Sequence, residues 1–162
     1  MSKGFMIALG FIFAVSSASA QVIGVKTQPN NCEDNLHALN VVHQVAEGAD
    51  LIIIIARLGT GETRRNINLR RLHNAQTYLA SELYWKRDPK TVVVAEGERV
   101  NGYGRLEIYV RGVFWDAMLI KRNSDLLVGS CEPDDIRPKW VDAIFYPFLD
   151  EKSRKSKRKG ER

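Results

Sequence analysis

The pattern of apolar and polar positions is most informative between residues 50 and 79. Leu51–Ala56 is a continuous apolar run without alternation, which is typical of a strand buried on both faces. Gly59 and Gly61 then interrupt the chain. From about residue 66 apolar residues recur at helical spacing, at Leu69, Leu72, Ala75, Leu79 and Leu83. The pattern predicts a buried strand, a glycine loop and an amphipathic helix, an order suited to holding a ligand.

Further elements are predicted on both sides of this unit. Residues 34–47 fit a helix, 91–95 a second buried strand, and 113–121 a strand with mostly apolar faces. Residues 105–111 alternate, which predicts a strand with one wet face, and 22–25 could add an edge strand. The predicted fold class is α/β (α+β): a two-layer sandwich of a mixed sheet with two helices on one face.

The N-terminus has the pattern of a secretory signal peptide. Lys3 precedes the apolar run Phe5–Val15, and small residues at 17–20 predict cleavage after Ala20. An uncleaved anchor is the alternative. We therefore expect a secreted or periplasmic envelope protein, without a transmembrane span in its mature chain. Its signal peptide would span residues 1–20 and its main domain residues 21–131. An aromatic extension would follow at residues 132–149 and a disordered basic tail at residues 150–162.

The two cysteines, Cys32 and Cys131, both lie in the part predicted to be exported. In an oxidising compartment a lone pair most simply forms one disulfide. Closing a loop of this length is worth roughly 4–5 kcal/mol if the stabilisation comes from chain entropy. A metal site made of two distant cysteines is a less favoured reading, and so are two free thiols.

The net positive charge of the chain comes from its C-terminal residues. Residues 151–162 carry seven Lys or Arg and two Glu, which equals the net charge of +5 of the whole chain. This segment is either a solvated tail or a tether to anionic polymer or lipid headgroups. Because the remaining residues balance to zero, nucleic acid is not an expected partner.

The sequence offers no constellation for catalysis. Phosphate-loop, dinucleotide-binding, zinc-protease and serine-hydrolase motifs are all absent. His37 and His43 stand six residues apart, which is not the spacing that grips a metal from one helix face. Glu96 and Glu98 would point to opposite faces of a continuing strand, which disfavours a paired-carboxylate site. We therefore expect no enzyme activity, no metal and no cofactor.

Carboxylate binding is better supported. Arg70 and Arg71 stand near the start of the second helix, directly after the glycine loop. An arginine there can hold a carboxylate with two hydrogen bonds, and the free N–H groups of the helix start add donors. The alternative is a solvated, salt-bridged face made of Arg64, Arg65, Arg70 and Arg71.

The same region resembles the OmpA-like (outer-membrane-protein-A-like) peptidoglycan-binding domain. When the helix is aligned on Tyr78-Leu79, Ile67-Asn68 falls at the Leu-Ser pair of that family's helix motif, and Arg70-Arg71-Leu72 falls at its Arg-Arg-Ala. Residues 104–108, Gly-Arg-Leu-Glu-Ile, resemble its closing strand motif. The resemblance covers roughly residues 33–111 and implies βαβαββ order, to which this chain adds a C-terminal extension.

The resemblance also implies a ligand site. Family members hold diaminopimelate of peptidoglycan with a strand-end aspartate and the helix arginine; Arg71 takes the arginine position, whereas the aspartate position falls near Gly59. Glu62 is a substitute for the missing carboxylate. The expected function is non-enzymatic binding of peptidoglycan or another anionic envelope polymer through Arg71, Arg70, Arg57, Thr60 and Glu62. The alternative is an interaction module with a degenerate site, which binds an envelope protein through residues 138–149 and the basic tail.

Overall fold

The computed structural model of the protein describes residues 26–48, 50–63, 65–81, 85–132 and 136–147. Its elements, in chain order, are α1 (Cys32–Val45), β1 (Ile52–Arg57), α2 (Arg65–Ala80), β2 (Val92–Glu96), β3 (Gly104–Val110), β4 (Val113–Ile120) and α3 (Lys139–Phe145). Helix α1 begins with a capping box, because Asn31 Oδ1 accepts from the Asp34 amide and Asp34 accepts from the Asn31 amide.

The four strands form one open mixed sheet in the order β2-β1-β3-β4. Strand β1 pairs in parallel with β2 and antiparallel with β3, which in turn pairs antiparallel with β4. The helices cover one face, and the core lies between the two layers. It includes Ile54, Leu106, Ile108 and Met118 of the sheet and Leu39, Val42 and Leu79 of the helices. The two-layer α/β architecture predicted from the sequence is confirmed.

The two faces of the sheet are unequally covered. In β1, Ile52, Ile54 and Ala56 are fully buried under the helices, whereas Ile53 and Ile55 on the opposite face are only half-buried. Val93 on the edge strand β2 is 45% exposed. The expectation of strands buried on both faces was wrong for β1 and β2, because no described element covers the second face. We call this second face the open sheet face.

The chain after β4 runs back across the helical layer. Asn74 of α2 donates to the carbonyl of Leu126, and Asn35 of α1 donates to that of Leu127. The expected disulfide between Cys32 and Cys131 then fastens this connection to α1. Helix α3 packs beside α2 with Val141 and Phe145 fully buried.

Several sequence predictions lie outside the described residues. These are the signal peptide at 1–20, the edge strand at 22–25 and the basic tail at 150–162. Among the described residues, no helix has the length and apolar character needed to span a bilayer. The disulfide is compatible with an exported protein.

Replacing both cysteines tests how strongly the disulfide supports this fold. We expect Cys32→Ser/Cys131→Ser to lower the free energy of unfolding by about 2–5 kcal/mol, because the bond closes a long loop in the unfolded chain. Urea unfolding of the variant and of the oxidised protein measures the difference. Reduced wild-type protein should match the variant; equal midpoints for oxidised and reduced protein would contradict the expectation.

Candidate functional site

Glu62 and Arg71 form a closed ion pair. The Arg71 Nη2 atom donates to Glu62 Oε1 at 2.6 Å and Nη1 donates to Oε2 at 3.1 Å, and both side chains are fully buried. The carboxylate also accepts from the backbone amides of Gly59 and Asn123, at 2.8 and 2.9 Å. Each carboxylate oxygen therefore has two donors, all of them from the protein itself.

The remaining donors of Arg71 are used in the same way. Its Nε atom donates to the carbonyl of Ser124 at 3.0 Å and its Nη2 atom to that of Lys121 at 3.3 Å. The pair thus joins the glycine loop after β1, helix α2 and the turn that follows β4. A buried pair with this many additional hydrogen bonds avoids the desolvation cost that isolated charges would suffer.

Gly104 makes room for the pair, and Gly59 lets its loop approach residues 102–104. A Cβ atom at Gly104 would overlap the Glu62 carboxylate and the Arg71 guanidinium, and a Cβ at Gly59 would overlap the backbone of residues 102–104. Arg99 closes the site from another side by donating to the carbonyls of Gly59 and Glu62. The site leaves no opening through which an external acid reaches Arg71.

Burial alone would raise the pKa of Glu62, but its hydrogen bonds outweigh burial. Donors from Arg71, Gly59 and Asn123, together with the positive charge of Arg71, lower the pKa of Glu62 to about 2. The carboxylate is therefore ionised at neutral pH and stabilises the fold in that form.

The other predicted ligand-binding residues lie in different surroundings. Arg70 Nε donates to Asp125 at 2.6 Å, and Thr60 Oγ1 accepts from the amide of Gly102 at 3.1 Å. Arg57 lies at the end of β1 on the open sheet face. The five residues therefore do not converge on one cleft. We expected Arg71 to face outward, but it is enclosed, because Glu62 lies within reach across the glycine loop.

Arg57 belongs to a cluster that remains accessible. Its Nε atom donates to Glu107 Oε2 at 2.9 Å, and Arg105 Nε donates to Glu107 Oε1 at 2.8 Å, with Arg105 Nη2 2.6 Å from the same oxygen in the ion pair. The arginine side chains are 24% and 35% exposed, whereas that of Glu107 is 7% exposed. Two guanidinium groups share one carboxylate, so the cluster carries a net positive charge.

The hydrogen bonds of this cluster favour the ionised forms of Glu107 and Arg57. Burial raises the pKa of Glu107, but the hydrogen bonds from Arg57 and Arg105 overcome it and lower the pKa. The hydrogen bond to Glu107 raises the pKa of Arg57. Tyr109 donates its hydroxyl to Glu107 Oε2 at 3.3 Å, and burial and the nearby carboxylate raise its pKa.

Arg105, Glu107 and Tyr109 were not among the residues predicted to bind a ligand. The alternation of residues 105–111 does place Glu107 and Tyr109 on an outward face. What the sequence lacked was the register, in which Arg57 pairs with Arg105 and Ile55 pairs with Glu107. A prediction that β1 and β3 pair antiparallel in this register would have placed Arg57 beside Arg105 and Glu107.

Comparison of the chain with protein-family models, curated proteins and solved structures found no match. The resemblance to the OmpA-like domain therefore stays a prediction. Within the described ranges, no group of three His, Cys, Asp or Glu side chains is placed to hold a metal ion.

Removing one partner of the buried pair should destabilise the fold strongly. We expect Arg71→Met to cost about 3–5 kcal/mol of unfolding free energy, because it leaves a buried carboxylate without its counter-charge. Arg70→Met is the matched control on the same helix and should cost at most about 1 kcal/mol. Chemical denaturation measures both. Similar losses in the two variants would mean that the Glu62–Arg71 pair stabilises the fold no more than the ion pair of Arg70.

Acid should destabilise the protein through Glu62. Its pKa is about 2 in the fold, compared with an ordinary value of 4.5. The stabilisation of the fold by ionised Glu62 is complete above pH 4.5 and disappears as the pH falls towards 2, which lowers the free energy of unfolding by about 3 kcal/mol. Unfolding free energies measured from pH 6 to pH 2 test this. In Glu62→Gln the free energy of unfolding should vary less between pH 4.5 and pH 2. The same pH dependence in this variant as in the wild type would mean that other groups cause the acid sensitivity.

Proposed function

We propose that this protein is an exported, non-enzymatic binding module of the cell envelope. It holds an acidic group of its ligand, with peptidoglycan as the leading candidate, through Arg57 and Arg105 on the open sheet face. The observation that carries the proposal is the sharing of one carboxylate, Glu107, by two partly exposed arginines. The proposed site thus retains the chemistry expected from the sequence but differs in location from Arg71.

The hydrogen-bonding capacity of the two arginines supports this site. Arg57 donates from Nε to Glu107 and from Nη1 to the Glu98 carbonyl, and Arg105 donates from Nε to Glu107, with its Nη2 atom in the same ion pair. No residue in the described part of the chain accepts from Arg57 Nη2 or Arg105 Nη1. A ligand carboxylate can take these donors and balance the local charge.

The surroundings of the cluster favour a ligand with some apolar surface. Ile53 and Ile55 flank it on β1, and Val93 lies beyond them on β2. On the other side Tyr109 meets Phe114 edge to face, with ring centroids 5.5 Å apart. A charged centre with an apolar and aromatic border excludes water from part of the contact and strengthens the ion pair.

The second candidate function, partner binding through residues 138–149, has less support. Val141, Phe145 and Tyr146 are buried, and the Tyr146 hydroxyl is engaged with Val128. Only Trp140 among the described aromatic residues of this segment is exposed to a large extent, at 47%. Within residues 138–147, the described part of this segment, Val141, Phe145 and Tyr146 are therefore already used to attach it to the domain.

Sedimentation with purified peptidoglycan sacculi tests the proposed function. We expect Arg57→Lys/Arg105→Lys to reduce binding by about tenfold, because lysine keeps the charge beside Glu107 but loses the two-pronged geometry. Amidation of the sacculus carboxyls should reduce binding of the wild-type protein to a similar extent.

Arg111→Lys is the matched control. Arg111 is an exposed arginine at the opposite end of the same sheet, where it pairs with Asp50 at 2.7 Å. Its replacement should leave binding unchanged. Equal binding by the wild type and the double variant, or an equal loss in the Arg111 control, would refute a site at Arg57 and Arg105.

A further inference from the structure

The hairpin that joins β3 and β4 ends in an exposed apolar tip. Arg111 and Gly112 form its two-residue turn, and both have positive φ, at 54° and 79°, as a type I′ turn requires. Val113, Phe114 and Trp115 follow and are 68%, 38% and 41% exposed. We call these three residues the hairpin tip.

The exposure of all three residues is unusual for a strand. Alternation normally gives one covered and one wet face, so that at least one of two consecutive side chains is buried. Here Phe114 lies on the open sheet face beside Tyr109, whereas Trp115 lines a groove with Ala38 and Val41 of α1. An irregularity in the pairing of β3 with β4 between Ile108 and Tyr109 separates the tip from the regular ladder.

We propose that the hairpin tip contacts the surface of an anionic lipid bilayer. Val113, Phe114 and Trp115 are consecutive at the end of the hairpin and leave apolar surface exposed, although Tyr109 covers part of Phe114 and Trp115 lies beside Ala38 and Val41. Phenylalanine and tryptophan suit the boundary between headgroups and acyl chains, and tryptophan adds an N–H donor for that boundary. This contact lies apart from Arg57 and Arg105 and goes beyond the proposed function.

Charge supplies the reason to choose an anionic bilayer rather than a second copy of the chain. Residues 151–162 contain the whole excess positive charge of the chain, whereas Arg111 at the turn is paired with Asp50. A second copy carries the same positive excess and is repelled by the first, whereas an anionic surface attracts it. Peripheral proteins commonly need two weak signals for stable attachment, here an apolar tip and a basic segment.

Co-sedimentation of the full mature chain with lipid vesicles tests the proposal. The probes are vesicles of phosphatidylcholine mixed with phosphatidylglycerol, compared with vesicles of phosphatidylcholine alone. We expect the mixed vesicles to retain the wild-type protein and Phe114→Ser/Trp115→Ser to lower the partition coefficient by about tenfold or more. High salt should weaken the wild-type interaction, because it screens the contribution of the basic segment.

Ile136→Ser/Trp140→Ser is the matched control, because these two residues are 62% and 47% exposed but lie near α3 rather than at the tip. This variant should bind as the wild type does. Equal loss in both variants would overturn the proposal in favour of general apolar adsorption. No loss in the tip variant, no retention of wild type, or equal retention by neutral vesicles would also overturn it.

A spectroscopic measurement keeps the test valid if the tip variant folds poorly. In Trp85→Phe/Trp140→Phe the only remaining tryptophan is Trp115. We expect its emission to shift to the blue with mixed vesicles and to be quenched by brominated lipid. Emission that stays the same with and without vesicles would place Trp115 outside the bilayer and refute the contact.

Discussion

The buried pair of Glu62 and Arg71 is the constraint on which the organisation of this domain depends. It connects three parts of the chain that are distant in sequence: the loop after β1, helix α2 and the turn after β4. Because both groups are fully buried, each needs the other and the backbone partners around them. The glycine at 104 is then required by contact with the pair, not by flexibility.

Further buried polar side chains of α2 also bind backbone groups of other elements. Asn68, Arg71 and Asn74 recur at intervals of three residues and all donate to backbone carbonyls, at Ala56, Ser124 and Leu126 respectively. Asn68 attaches the helix to β1, whereas Arg71 and Asn74 attach it to the irregular backbone after β4. The long connection after β4 therefore follows a defined path between β4 and the disulfide, although it has little regular secondary structure of its own.

The sequence alone was sufficient to predict the main helices and strands and the fold class. The β-branched run of β1, the leucine spacing of α2 and the alternation of β3 each reflect a local rule, and each element is present with small shifts at its ends. The environment of Arg71 did not follow from such rules, because an arginine near a helix start looks the same in sequence whether it meets solvent or Glu62. Likewise, the pairing of Arg57 and Arg105 with Glu107 depends on strand register, which hydrophobic pattern alone did not supply.

The uneven coverage of the sheet links the fold to the two proposed contacts. An apolar run such as β1 is typical of a strand covered on both faces, yet no element in the described part of the chain covers Ile53 and Ile55, which lie beside side chains of the neighbouring strands. Along β3, Arg105 and Tyr109 are four residues apart, a span of about 13 Å. The proposed acid-binding cluster and the hairpin tip therefore stand towards opposite ends of one rigid strand. A bilayer at the tip would leave Arg57 and Arg105 directed away from the lipid surface, where a polymeric acidic ligand can reach them, although Phe114, which contacts Tyr109, borders both contacts.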